Sequence, residues 1–315
     1  MKLAFILDPL EALKIHKDSS YAIMREAVAR DHEIFVIHQE DLLWSDNSVV
    51  CYARGLALIE QADPGIGWYQ AGEKSMQPLQ AFDAVLMRKD PPFNMEYLYS
   101  TYLLELAEKQ GARVINSPRG IRDFNEKLAI IRFPQFAPPT LVTRQESLIM
   151  EFLHQHRDII LKPLDSMGGS GIFRVHDADH NVNVILETMT HYGTRTIMAQ
   201  RFIPEIVKGD KRILLIAGKS VPYALARIPK PGETRGNLNT GGTGVAQPLS
   251  DHDKKIAATL GPELTERGLL LVGLDVIGDC LTEINVTSPT GIQEIYKQTG
   301  FNAAKMMMDA IEENT

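Results

Sequence analysis

LKPLDSMGGSGIF, residues 161–173, is the stretch that decides how this chain is read. An apolar run (Ile159, Ile160, Leu161) carries Lys162, breaks into Gly168, Gly169 and Gly171 with Ser166 and Ser170 among them, and resumes as Ile172 and Phe173. A hairpin that only reverses direction needs two residues of Asn-Gly or Gly-Ser type. A longer tip with almost no side chain has two explanations. It is a slack hairpin, or its bare backbone lets successive N–H groups converge on an anion such as a phosphate. Lys162 has two as well: a snorkelling edge lysine, or a fixed ammonium for the phosphates of a nucleotide. The pattern is not a P-loop, because no Gly-Lys-Ser/Thr follows and no helix opens after it. Nor does a dinucleotide fingerprint follow the first strand, where DPLEALK stands.

Downstream, LDVIGDCLTEINVTSPTG (274–291) sets Asp275, Glu283 and Asn285 inside apolar strands. Burying carboxylates among Val, Leu and Ile is costly unless something pairs them. A hard cation with oxygen ligands does so, and Mg²⁺ takes one or two carboxylates together with nucleotide phosphates. The alternative is an edge hairpin whose polar residues face water. Glu283 and Asn285, at i and i+2, share a face. Asp275 joins that face only for some turn lengths. A plain two-residue turn at Gly278-Asp279 sets Asp275 opposite Thr282 and turns Glu283 away. A three-residue loop, or a bulge with the same effect, sets Asp275 opposite Glu283 and Asn285 opposite Gly273. The metal reading requires the latter.

Arg212 and Arg227 fall on neighbouring strands of one predicted hairpin turning at Ala217-Gly218, as surface arginines or as part of a charged site. After it, IPKPGETRGNLNTGGTG (228–244) holds five glycines, two prolines and Arg235. A loop of that length and composition is disordered or a lid. Lys127, in NEKL, is an exposed helix residue or a second phosphate charge.

Upstream, strand and helix signals alternate: LAFILD (3–8), a helix over 18–30 capped by Asp18, Ser19 or Ser20, HEIFVIH (32–38), DAVLMR (83–88), a helix over 94–111 closed by Gly111, and ARVINSP (112–118). Strands separated by helices predict a mostly parallel sheet with ligands at the C-terminal strand ends, where Asp8 and Arg88 fall. From about residue 123 the texture changes to paired strands at 158–164, 171–175, 196–203, 211–229 and 269–289, with helices near 145–155 and 252–267. This predicts antiparallel sheets with covering helices.

At 315 residues the chain has room for two or three domains. No stretch approaches the roughly 20 apolar residues of a membrane span, and the N-terminal apolar run is too short for a signal peptide. Cys51 and Cys280 stand alone without metal or redox spacing, which fits a cytoplasmic setting. A net charge of −7 without a basic block argues against nucleic acid as a partner.

With those residues in hand, the chain resembles the bacterial glutathione synthetase family of ATP-grasp ligases over essentially its whole length. KDSS (17–20), LMRKDPPF (86–93), NEKL (125–128), IILKPLDSMGG (159–169), MAQ (198–200), GDKR (209–212), ARIPKPGETRGNL (226–238) and VGLDVIGDCLTEINVTSPTGI (272–292) carry the resemblance.

It implies an N-terminal α/β substrate domain over 1–122, followed by an ATP-grasp fold in two antiparallel subdomains, 123–200 and 201–315. It also implies ATP-dependent joining of γ-glutamylcysteine to glycine, with Mg²⁺ or Mn²⁺, in a homo-oligomer that is a tetramer in many bacterial members. Residue by residue, Lys127 and Lys162 would hold phosphates, and Ser166, Gly168, Gly169 and Ser170 would fold over them. Gln200, Arg201, Phe202 and Ile203 would line the adenine slot, and Asp210 would reach the ribose. Asp275, Glu283 and Asn285 would bind the metal, and Arg212 and Arg227 would stabilise charge in the reaction. Arg88, Arg235, Asn237 and Ser288 would meet the peptide. One departure stands out: the family places an arginine after the double glycine of the lid, where this chain has Thr243. Two rival readings are another ATP-grasp carboxylate–amine ligase and a nucleotide-binding module without catalysis.

Overall fold

The computed structural model describes residues 1–59, 67–233, 236 and 241–313. Its first unit is built on β1 (Lys2–Leu7), β2 (Glu33–His38), β3 (Leu42–Ser45), β4 (Ser48–Leu58), β5 (Tyr69–Ala71), β6 (Ser75–Pro78), β7 (Ala84–Met87) and β8 (Val114–Ile115). β1 lies between β2 and β7 and runs parallel to both, and β7 runs parallel to β8. α1 (Ser19–Ala29) starts where the Asp18 carboxylate accepts the Tyr21 N–H at 2.7 Å, and α2 (Met95–Lys109) starts on the Asn94 side chain in the same way. The sequence reading passes over β3 to β6, an antiparallel meander on the outer edge of β2. Its signal was present: Val49, Cys51 and Ala53 of β4 are buried and alternate with the more exposed Val50, Tyr52 and Arg54. The parallel centre is as read; the whole sheet is mixed.

After α3 (Pro118–Asp123), a second sheet forms from β9 (Thr140–Thr143), β10 (Asp158–Pro163), β11 (Phe173–His176) and β12 (Ile197–Arg201), in the order β11-β10-β12-β9 and antiparallel throughout. α4 (Glu146–His156) and α5 (Val182–Thr190) cover one face. Ile159 and Leu161 of β10 pack there against Leu153 and Leu186 in a core of their own. Strand alternation then turns Ile160 and Lys162 to the opposite, uncovered face.

The third sheet comprises β13 (Asp210–Ile216), β14 (Lys219–Ile228), β15 (Thr243–Pro248), β16 (Leu271–Ile277) and β17 (Cys280–Asn285), ordered β15-β14-β13-β16-β17 and antiparallel. α6 (Asp251–Glu266) opens with a capping box between Ser250 and Asp253. α7 (Ile292–Thr299) and α8 (Ala303–Glu313) return the chain to the first unit. Leu214 and Ile216 share one core with Leu3, Phe5, Met307 and Met308, so the first and third sheets are joined by apolar packing. The Asn116 side chain adds a polar stitch: it donates to Leu271 O and Val286 O and accepts from Leu271 N, at 2.8–2.9 Å.

Candidate active site

The β16–β17 hairpin sets the register on which the site depends. Ile277 pairs with Cys280, so the turn is the tight Gly278-Asp279 pair, yet Asp275 stands opposite Glu283 and Asn285 opposite Gly273. A bulge at Thr282 reconciles the two, adding one residue to β17 between Leu281 and Glu283. The bulge also has a use. The Thr282 carbonyl accepts the Lys162 ammonium at 3.2 Å, while the Thr282 hydroxyl donates to Asp275 O. Gly273 is required in its place, because a Cβ there would stand 2.8 Å from both Arg212 Cδ and Pro289 Cβ.

Four charges interlock on β13, β14 and β16, with Arg212, Arg227 and Asp275 buried and Asp210 half-buried. Arg212 grips Asp275 with two bonds, Nε to Oδ1 at 2.6 Å and an η-nitrogen to Oδ2 at 2.8 Å. Arg227 reaches Asp275 Oδ2 at 2.8 Å and Asp210 Oδ2 at 2.5 Å. Burial alone would raise the Asp275 carboxyl, but Arg212 and then Arg227 hold it well below the usual carboxylate range. Asp210 goes the other way: burial, with the nearby Asp275 and Glu283 charges, outweighs Arg227 and pushes it up. Its Oδ1 is buried and has no hydrogen-bond partner among the described residues. Lys162 and Lys127 are both buried, and each places its ammonium 3.9 Å from Glu283 Oε1. Burial lowers the Lys162 pKa against the opposing pull of Glu283.

These groups wall one cavity of about 170 Å³ between the second and third sheets. Lys127, Lys162, Ser166, Gly168, Gly169, Gln200, Arg201, Phe202, Ile203, Asp210, Arg212, Arg227, Asp275, Glu283 and Asn285 all line it. Of the nucleotide candidates, Ser170 alone does not; its N–H turns back to Met167 O. The loop explains its own composition. Gly168, Gly169 and Gly171 have φ of 67°, 80° and 68°, in the region that side chains disfavour. Lys127 anchors the root of the loop by donating to Ser166 O. At the other end of the cavity, Arg174 stacks 3.6 Å over the Phe202 ring and forks onto Asp158, bracing the 200–203 strand end.

Glu283, Asn285 and Asp275 present oxygen donors only, the set a hard divalent cation prefers when phosphates complete its shell. Both oxygens of Asp275 are engaged by arginines, which leaves Glu283 and Asn285 with capacity to spare. Among the described residues, no three His, Cys, Asp or Glu side chains form a ready-made cage.

A second cavity of about 420 Å³ adjoins the first and shares Glu126, Met167, Gly168, Arg212, Arg227 and Asn285 with it. Asp8, Lys14, Lys17, Asp18, Asp90, Ser288, Thr290 and Glu294 line the remainder. Ser288 is therefore where the sequence expects it, its hydroxyl donating to Asp90. Arg88 is not on either wall. It is buried behind, donating to Ser20 Oγ, Thr287 O and Pro289 O at 3.0–3.2 Å, and burial lowers its pKa. Arg235 and Asn237, with residues 234 and 238–240 of the expected lid, lie outside the described residues. Thr243 opens β15 opposite Ile228 and lines neither cavity. The sequence reading missed Glu126, which borders both cavities. Its only local signal is its place beside Lys127, and its partners lie 160 positions away.

One antiparallel sheet carrying Lys162 faces a second that carries carboxylates and arginines, with Lys127 reaching the same cavity from the segment before β9; this is the architecture of the ATP-grasp fold. Solved structures share the architecture: the D-cycloserine synthetase DcsG superposes with a TM-score of 0.70 at 13% identity, covering 100% of this chain and 99% of that one. The ATP-grasp ligase PsnB, complexed with a minimal precursor, gives 0.64 at 17% identity, with 99% of each chain covered. At those identities the likeness is one of fold.

Sequence comparison narrows the class. The prokaryotic glutathione synthetase N-terminal domain matches residues 1–122, and the ATP-grasp domain of the same family matches 126–300. The glutathione synthetase of Nitrosomonas europaea is 67% identical over 314 residues, covering 100% of this chain and 98% of that protein. That of Neisseria meningitidis serogroup A is 56% identical, with 99% of each covered. The chain belongs to the prokaryotic glutathione synthetase family and is an ATP-dependent, ADP-forming ligase. No helix among the described residues is long and apolar enough to cross a membrane.

Proposed function

We propose that the first cavity holds ATP, that the second holds γ-glutamylcysteine and then glycine, and that the reaction occurs where they meet, at Arg212 and Arg227. The observation that carries this reading is the shared wall: the two arginines border both chambers. Adenine lies along Gln200–Ile203, and the orphaned Asp210 Oδ1 accepts a ribose hydroxyl. The triphosphate runs under the glycine loop to Lys127 and Lys162, with Ser170 bracing that loop from behind.

A carboxylate is a poor electrophile, so the cysteinyl carboxylate first attacks the γ-phosphorus. A new O–P bond forms, the bond to the β-phosphate oxygen breaks, and an acyl phosphate and ADP result. Negative charge spreads over the transferring oxygens, where preoriented cations act with little reorganisation. Asp275 supplies that preorientation by fixing both guanidiniums. The glycine amine then attacks the acyl carbon, Arg227 steadies the oxyanion of the tetrahedral intermediate, and phosphate leaves as the amine proton is lost. A divalent cation, Mg²⁺ or Mn²⁺, held by Glu283 and Asn285 beside Asp275, would neutralise phosphate charge when bound.

Ser288 faces the peptide, with Arg235 and Asn237 assigned to it from sequence. Arg88 acts from behind by holding the 287–289 backbone. We read the units as 1–122 for the peptide, 123–200 for the nucleotide lid and 201–315 for metal and chemistry, in a cytoplasmic homotetramer. A coupled ADP-release assay tests the assignment. ADP should form at full rate only with γ-glutamylcysteine and glycine together. Equal turnover with another acid–amine pair would favour a different ligase, and no turnover with any pair would favour a binding module.

A further inference from the structure

We propose that Glu126 is the positioning residue that fixes the strap at 286–289 and thereby aligns the peptide chamber with the nucleotide chamber, an inference that rests on the ligase reading above. The strap leaves the ladder after Asn285, the last residue of β17, and α7 begins only at Ile292. Its backbone groups lose their strand partners there and need others. Glu126 Oε1 accepts from Val286 N at 2.9 Å, Thr287 N at 3.2 Å and Thr287 Oγ1 at 2.8 Å, while Glu126 O accepts the Ile284 N–H at 2.8 Å. From the other side Asn116 takes Val286 O, and Arg88 takes Thr287 O and Pro289 O. The strap is thus held by its amides on one side and its carbonyls on the other.

What the strap carries gives the grip its consequence. Asn285, a metal candidate, immediately precedes it, and Ser288, a peptide candidate, lies within it. Glu126 is followed by Lys127, whose ammonium anchors the glycine loop at Ser166 O and stands 3.9 Å from Glu283. One dipeptide therefore ties the glycine loop to the peptide strap across the shared wall of the two cavities. An amide oxygen could accept the same three donors as the carboxylate, so the role requires an acceptor at that place and not a charge.

The test compares Glu126→Ala with Glu126→Gln in steady-state kinetics. A misplacement of about 1 Å away from the chemistry can cost on the order of 10²-fold, and Glu126→Ala should lower kcat by about that factor. It should also raise KM for γ-glutamylcysteine while leaving KM for ATP near that of wild type, and Glu126→Gln should recover most of the loss. A Glu126→Gln enzyme as impaired as Glu126→Ala would overturn the proposal, because the charge or proton of Glu126 would then act in the chemistry. Unchanged kinetic constants with only a lower Tm would overturn it too, leaving a fold-supporting role. Should Glu126→Ala fail to fold, Thr287→Val removes one of the three donors. It should move kcat and the peptide KM in the same direction by less, with Thr287→Ser restoring them; Thr287→Val kinetics equal to wild type would count against the grip. Wild-type enzyme that does not join the two substrates breaks the ligase reading instead, so the two failures are distinguishable.

Discussion

Two hairpins face each other across the first cavity and are built on opposite principles. The β10–β11 hairpin contributes backbone: its connection, residues 164–172, holds three glycines at positive φ and offers few side chains. The β16–β17 hairpin contributes side chains: its turn is two residues long, and the register decides that Asp275 stands opposite Glu283 and Asn285 opposite Gly273. The first is strained by a Cβ at its positive-φ glycines, the second by a change of register. Composition drew attention to the former with two readings open, whereas the latter needed pairing.

Breaking the second hairpin should have the largest effect. Removing one partner of a buried ion pair costs roughly 3–5 kcal/mol, and Asp275 is the partner of two arginines. Asp275→Ala is expected to lose stability on that scale in urea unfolding and to lose nearly all turnover. The wild-type pH dependence follows from the sign of the shift. The folded pKa of Asp275 lies below its unfolded value of about 3.9. Its contribution is therefore complete above the unfolded value and drains away as pH falls toward the folded one. The stability gap between wild type and Asp275→Ala should narrow on acidification below about pH 4. A gap that widened there would contradict the ion-pair account.

Arg227→Ala comes next. Loss of one preorganised donor costs on the order of 10²–10³-fold in kcat, and the Kd of ATP should move far less. A variant whose loss lay wholly in ATP binding would make Arg227 a ligand residue only. The first hairpin should yield smaller effects. A side chain forced into the left-handed region costs roughly 1–2 kcal/mol, and 1.4 kcal/mol is tenfold in affinity, so Gly169→Ala should weaken ATP binding by about tenfold. Unchanged binding would mean that the loop backbone does not close on the phosphates. The smallest effect concerns chemistry that neither hairpin uses. Cys51 is fully buried, and burial pushes its thiol up to about 12; alkylation of the folded enzyme should leave that thiol unlabelled.

How much of this was legible follows the same division. The glycine loop, Lys162 and the run of Asp275, Glu283 and Asn285 each break a local rule, a bare tip or a polar group in an apolar strand, and such breaks show in one dimension. The bulge at Thr282 did not show: the turn length alone left the Asp275 face undecided, and only pairing chose between the two registers. Arg88 showed itself as an arginine at a strand end, but the carbonyls it holds are about 200 positions away. Glu126 and Asn116 stayed hidden for that reason as well. Their partners are mostly backbone groups of β16 and of the strap at 286–289, far along the chain, and backbone groups leave no composition signal. The β3–β6 meander differs: strand alternation in β4 is legible, but it lies beside the stronger helix-strand rhythm around it.

The central claim is that the carboxylate of γ-glutamylcysteine is phosphorylated where the two chambers meet. Labelling both carboxylate oxygens of the cysteinyl group with ¹⁸O and analysing the released phosphate by mass spectrometry tests it most directly. Transfer through an acyl phosphate predicts one ¹⁸O atom in each phosphate, with the other retained in the new amide. Unlabelled phosphate released in step with product would mean that the carboxylate never attacks ATP, and the reading of Arg212 and Arg227 as the meeting point would fail with it.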